Sequence, residues 1–258
     1  GILHLIRRRP LAWFVVLAYG LSWWPSLLEP HSLLPLGPLA AAILVLGVVG
    51  GWPAVRRFGG AILAWRVGIR WYVLVLGLPP LLAVAGAALN PLLGAAAPAF
   101  DQAPPLAELL PTFLFILLLI GVGEEPAWRG LALPQLARKR SMLPASLILA
   151  VIHAIWHLPL FGLEYTWQNV APWMLTLTAF SVITAWLYTR TAGSLLLPAL
   201  FHASVNVSAK YLFLRLFTGG DLIQMYWIAA ALWWLAALVP LALLRRESDV
   251  PTDAELVG

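Results

Sequence analysis

Eight runs of about twenty apolar residues follow one another along this chain of 258 residues, and a run of that length crosses the hydrocarbon core of a bilayer as a helix. They extend over residues 11–28, 36–52, 71–93, 106 into the Gly123–Gly130 segment, 144–161, 170–188, 194–217 and 222–244. Only 10% of the residues are charged, which is too few to coat a soluble surface of this size. The 14 Trp and six Tyr suit interfacial belts, where an amphipathic ring sits at headgroup level. The pattern predicts an all-α integral membrane protein, a bundle of about eight transmembrane helices around an intramembrane polar cavity. Residues 1–246 read as one polytopic membrane domain and 247–258 as a polar cytoplasmic tail. Cysteine is absent, so disulfides, thiolate nucleophiles and Cys-based metal sites are excluded.

The basic residues give a direction. Arg7–Arg9 precede the first run, and Arg56, Arg57, Arg66 and Arg70 lie between the second and third. Arg138, Lys139 and Arg140 separate the fourth from the fifth, Arg190 follows the sixth, and Arg245 and Arg246 follow the eighth. With eight spans, these thirteen of the 16 basic residues fall on one side. The positive-inside rule makes that side cytoplasmic and predicts a multi-pass protein of the cell membrane with both termini inside. It also gives the net charge of +5 a cause other than nucleic acid, which is not expected as a partner. No secretory signal peptide is expected, because no small-residue cleavage site follows the first run. Residues 54–70 mix Arg with Phe58, Ile62, Leu63 and Trp65, and read as an amphipathic helix on the cytoplasmic face.

Ionisable groups inside spans are costly and mark function. Here they form three groups: Glu124, Glu125 and Arg129; His153 and His157; His202 with Asn206. Counted from the cytoplasmic end at about 1.5 Å per residue, Glu124 lies roughly 21 Å in, His157 about 20 Å and Asn206 about 18 Å. The shared depth predicts one cavity, expected to open toward the cytoplasm. The pairs 125/129, 153/157 and 202/206 are each four residues apart on one helical face, so Glu125 and Arg129 can pair and leave Glu124 free. A carboxylate in an apolar cavity takes a proton from water more readily, an imidazole can share that water, and a His and an Asn on a facing helix can donate to a developing oxyanion. These parts suit water-activated hydrolysis of a carbonyl.

At these residues the chain resembles the CAAX prenyl-protease, or Abi (CPBP), family of intramembrane endopeptidases. The family's EExxxR is met by Glu124-Glu125-Pro126-Ala127-Trp128-Arg129, and its HxxxN by His202-Ala203-Ser204-Val205-Asn206. Its FxxxH is met only in part, since His153 stands at the Phe position before His157. The resemblance covers roughly residues 60–210. It implies a glutamate-dependent endopeptidase acting on a membrane-associated protein or peptide. Glu124 would be the general base, His157 its partner on the water, and His202 with Asn206 the oxyanion donors. Glu125 and Arg129, with His153, would support the site.

No cofactor is expected. The alternative is zinc held by Glu124, His153, His157 and His202; against it, no H-E-x-x-H occurs, and two His ligands plus Glu124 would leave no free base. A metal-free site is expected to tolerate His153→Phe. Two other classes fit the same residues: a non-catalytic scaffold or bacteriocin-immunity protein of the same fold, and a transporter. The second lacks the paired broken helices that mark such proteins.

Overall fold

The computed structural model describes residues 1–247, so the polar tail, apart from Glu247 at the end of the last helix, lies outside the described residues. Those residues are helical almost throughout, with no named strand among them. In chain order the helices are α1 (Ile2–Arg8), α2 (Pro10–Trp23), α3 (Gly37–Ile62), α4 (Ile69–Leu92), α5 (Leu106–Ala137), α6 (Met142–Trp156), α7 (Val170–Arg190), α8 (Leu196–Leu212) and α9 (Gly219–Glu247).

Five of these, α3, α4, α5, α7 and α9, are long and apolar enough to cross a membrane. The other three expected spans are the shorter helices α2, α6 and α8, of 14, 15 and 17 residues. Two of them end at proline. Proline has no N–H to continue the helical ladder. Accordingly α2 passes into a tight turn at Trp24-Pro25, and α6 into another at Leu158-Pro159.

The separate amphipathic helix expected over 54–70 is not found. Residues 54–62 continue α3 beyond a kink at Gly51, whose φ of 62° is costly for any residue with a Cβ. Residues 63–68 leave the helix, and Arg70 opens α4. In contrast α4 runs unbroken through Pro79-Pro80, and α5 through Pro134.

The second half of helix α5 is buried in the bundle, and the helix packs on α3, α6 and α8. It contains two π-helical turns, Leu117–Gly121 and Trp128–Ala132, on either side of Glu124 and Glu125. Such turns are rare and gather at functional sites. The second follows Pro126, which has no N–H for the regular ladder. Gly121 brings α5 against α8: a Cβ there would stand 2.6 Å from the Ala199 carbonyl oxygen, so no larger residue allows this approach. Trp128 and Trp156 are fully buried and pack edge-on at 6.0 Å, and Phe14 of α2 meets Trp128 at 5.3 Å. These rings form the wall behind the polar groups.

Candidate active site

Six of the seven polar residues singled out in the sequence meet at the centre of this bundle. Glu124 and Glu125 sit between the two π turns of α5 and are buried, with 3% and 0% exposure. Although adjacent in sequence, they face different partners. The Oε2 of Glu124 lies 3.0 Å from Nε2 of His153 on α6. Across the other side, Oε1 of Glu125 lies 2.9 Å from Nδ1 of His202 on α8.

Glu125 also pairs with Arg129, one turn along α5, at 3.2 Å. The contact lacks hydrogen-bond alignment, so it is Coulombic, while His202 supplies the aligned bond. The guanidinium donates instead to Thr184 Oγ1 on α7, from Nε at 3.1 Å and from Nη2 at 2.8 Å. Its flat face lies over the Phe180 ring at 5.4 Å. The expected Glu125–Arg129 pair is therefore present, and Thr184 and Phe180 join it. Neither was singled out in the sequence. A lone Thr one turn after a Phe in an apolar helix carries no signal of its own, because a helix hydroxyl usually bonds its own backbone. Thr184 does that too, donating to the Phe180 carbonyl at 2.8 Å.

The two histidines of α6 divide their roles in an unexpected way. His153, at the family's Phe position, touches Glu124 directly. It is 1% exposed and flanked by Trp128 and Trp156 at 5.0 and 5.9 Å. His157, at the family's His position, is half-buried, and its Nδ1 lies 2.9 Å from the His153 carbonyl oxygen. A carbonyl only accepts, so Nδ1 carries the proton and Nε2 keeps its lone pair. With Glu124 ionised, His153 must donate from Nε2, which makes its Nδ1 a buried acceptor without a partner. The histidines thus hold opposite tautomers.

One ligating atom from each of Glu124, His153 and His157 lies within 4.8 Å of the others. This is the donor set a catalytic zinc would use, one carboxylate and two imidazoles. His202, the fourth residue of the zinc alternative, is not in the group, because its Nδ1 is turned to Glu125. Asn206 is half-buried one turn beyond His202, and its side chain forms no hydrogen bond or ion pair with another described residue.

Comparison with known proteins points to the same segment. Residues 106–208 match the family model for type II CAAX prenyl endopeptidase, Rce1-like. A relative from Methanococcus maripaludis, named CAAX prenyl protease 2, is 29% identical over 108 residues, and the match covers 38% of this chain. The chain spans about 40% of the length of that relative. The resemblance read from the three motifs therefore holds: residues 106–208, which supply Glu124, Glu125, Arg129, His153, His157, His202 and Asn206, resemble the Rce1-like CAAX prenyl endopeptidases.

Proposed function

We propose that this protein is an intramembrane endopeptidase of the CAAX protease type, which hydrolyses a peptide bond of a membrane-associated protein or peptide with water activated by Glu124. The observation that carries the reading is a buried carboxylate in a membrane helix, bonded by His153 at 3.0 Å and set beside a second imidazole. Glu124 and the bare Nε2 of His157 are both acceptors. Two acceptors this close suit a molecule with two protons to donate, and water is that molecule.

In the reaction the water oxygen attacks the scissile carbonyl carbon, and one of its protons passes to Glu124. The oxyanion then collapses, the C–N bond breaks, and Glu124 returns the proton to the leaving nitrogen. His202 is held through Nδ1 by Glu125, so it offers Nε2 to the substrate. As an imidazolium it donates that N–H to the oxyanion, with Asn206 one turn away as second donor. Glu125 and Arg129 set its position without touching the reacting atoms. The test is a comparison of protein N-termini in membrane fractions of cells carrying the wild type or Glu124→Gln. New N-termini that depend on Glu124 support the protease. An unchanged set, with a cellular phenotype that survives the substitution, would favour a scaffold instead.

His153 is then a positioning residue for the base. A hydrogen bond to a charged group contributes about 1.5–3 kcal/mol, or roughly ten- to a hundredfold. From the sequence alone, a metal-free site is expected to tolerate His153→Phe. The hydrogen bond to Glu124 reverses that expectation: His153→Phe is expected to lower kcat by that factor, and His153→Gln, which keeps a donor, to retain most of it. A Phe variant as active as the wild type would remove His153 from the mechanism.

The reading is metal-free. If zinc were held by Glu124, His153 and His157, it would polarise the carbonyl or its bound water. However, the His153 Nε2 lone pair cannot ligate zinc while that nitrogen donates its proton to Glu124. Turnover is expected to persist through a chelator titration, with zinc well below one per chain by elemental analysis. Stoichiometric zinc whose removal stops turnover, and whose return restores it, would reject this mechanism.

A further inference from the structure

The two ends of the bundle differ in charge, and the site lies nearer one of them. Arg7–Arg9 lead into α2, and Arg190 closes α7. Arg70 and Trp71 at the start of α4 line one cleft with Trp186 and Arg190 of α7 and Leu243 of α9, so these three helix ends coincide. The start of α8 joins them: the Leu195 N–H donates to Ala61, and Ser194 Oγ to Ala64. Gly130, about two turns before Arg138 at the end of α5, lies against Leu195 and Phe58. Arg7 donates to the Val48 carbonyl of α3, so basic clusters that are scattered in sequence share one end in space.

The candidate site leans toward the other end. Helix α6 leaves the basic end at Met142, and His157 follows it 15 residues later, about 22 Å away in a core roughly 30 Å thick. Trp23, at the far end of α2, donates Nε1 to the Trp156 carbonyl at 2.9 Å. Gly123, next to Glu124, lies against the Pro35 carbonyl in the 28–36 connection. The ring of His157 packs on Tyr165 at 5.8 Å and Trp173 at 5.3 Å, from the 158–169 connection and the first turn of α7. These two connections touch, for His31 lies beside Gly162. His157 is half-buried whereas Glu124 and His153 are almost fully buried, so His157 is the member of the group nearest the surface.

The positive-inside rule puts the basic end in the cytoplasm. We infer that the site takes its water and its scissile bond from the non-cytoplasmic face, between the 28–36 and 158–169 connections. Its substrate is then a translocated peptide or an external segment of a membrane protein, and not a chain terminus presented in the cytoplasm. The expected cytoplasmic opening gives way to this arrangement. The choice of substrate rests on the protease reading, but the side of access does not.

The chain has no cysteine, so single introduced thiols report access without a background. Leu158 is exposed beside His157, and Lys139 is exposed at the basic end. In intact cells, a membrane-impermeant maleimide is expected to label Leu158→Cys and to reach Lys139→Cys only after permeabilisation. The adduct at Leu158 is further expected to lower cleavage of the substrates found by N-terminal mapping by at least tenfold. Labelling of Leu158→Cys only after permeabilisation would overturn the inference whatever the turnover. Labelling from outside, in a protein that cleaves nothing in cells or in detergent, would leave the access assignment standing and sink the protease reading.

Discussion

Glu124→Gln is expected to lower turnover by at least a hundredfold and up to about ten-thousandfold, the range that positioned acid–base catalysis contributes. The substitution keeps the size and shape of the side chain. The amide oxygen can still accept from His153 Nε2, so the wall of Trp128 and Trp156 has no reason to move. What the amide cannot do is take a proton from water. The fold should therefore survive, with a thermal unfolding midpoint within a few degrees of wild type, while kcat collapses and KM changes little. Activity within a few-fold of wild type would show that Glu124 is not the base. Glu125→Gln makes the contrast, since it weakens the hold on both His202 and Arg129. Its loss of activity should come with a loss of stability.

These two glutamates illustrate how much of the site was legible in the sequence. Their spacing from Arg129 foretold the pair correctly, because four residues along a helix is a local distance that survives any packing. The meeting of α5, α6 and α8 was also legible, since polar groups in an apolar bundle must face one another. What spacing could not give is which histidine meets which glutamate. His153 and His157 share a face, so periodicity treats them alike. The height and rotation of Glu124 decide between them, and both depend on the π turns flanking it, each of which adds a residue to its turn. Apolar residues around a Gly give no signature of such a turn. His157 was expected to share a water with Glu124, and it does lie near that carboxylate with its Nδ1 tied to the backbone, but the direct hydrogen bond to Glu124 comes from His153. The motif that the chain resembles has a Phe where this contact is made, so only the structure reveals it. Span lengths were misjudged for a related reason. Hydropathy carries on through Pro25 and Pro159, although the α-helices give way there to tighter turns, where proline supplies no N–H.

Arg129→Leu is expected to give the largest loss of stability in the bundle, roughly 3–5 kcal/mol, the cost of breaking a buried ion pair by removing one partner. Arg129 is 1% exposed, and its guanidinium meets three groups on two helices: Glu125 on its own helix, and Thr184 and the face of Phe180 on α7. Leu fills much of the space but leaves Glu125 buried with His202 as its one remaining partner. Lys keeps the charge without the fork that reaches Thr184 by two nitrogens, so Arg129→Lys should recover only part of the loss. The double variant Glu125→Leu/Arg129→Leu removes both buried charges. It should regain most of the stability, because a buried pair exchanged for apolar groups is often nearly neutral. It should not regain turnover, because His202 Nδ1 then has no acceptor to fix the ring. Denaturant unfolding of the four proteins in one detergent gives the coupling energy, and kcat measured on the same samples gives the second axis. If Arg129→Leu unfolds within about 1 kcal/mol of wild type, the pair is not a structural keystone. If the double variant regains turnover along with stability, Glu125 has no part in orienting His202, and the oxyanion role assigned to that histidine loses its support.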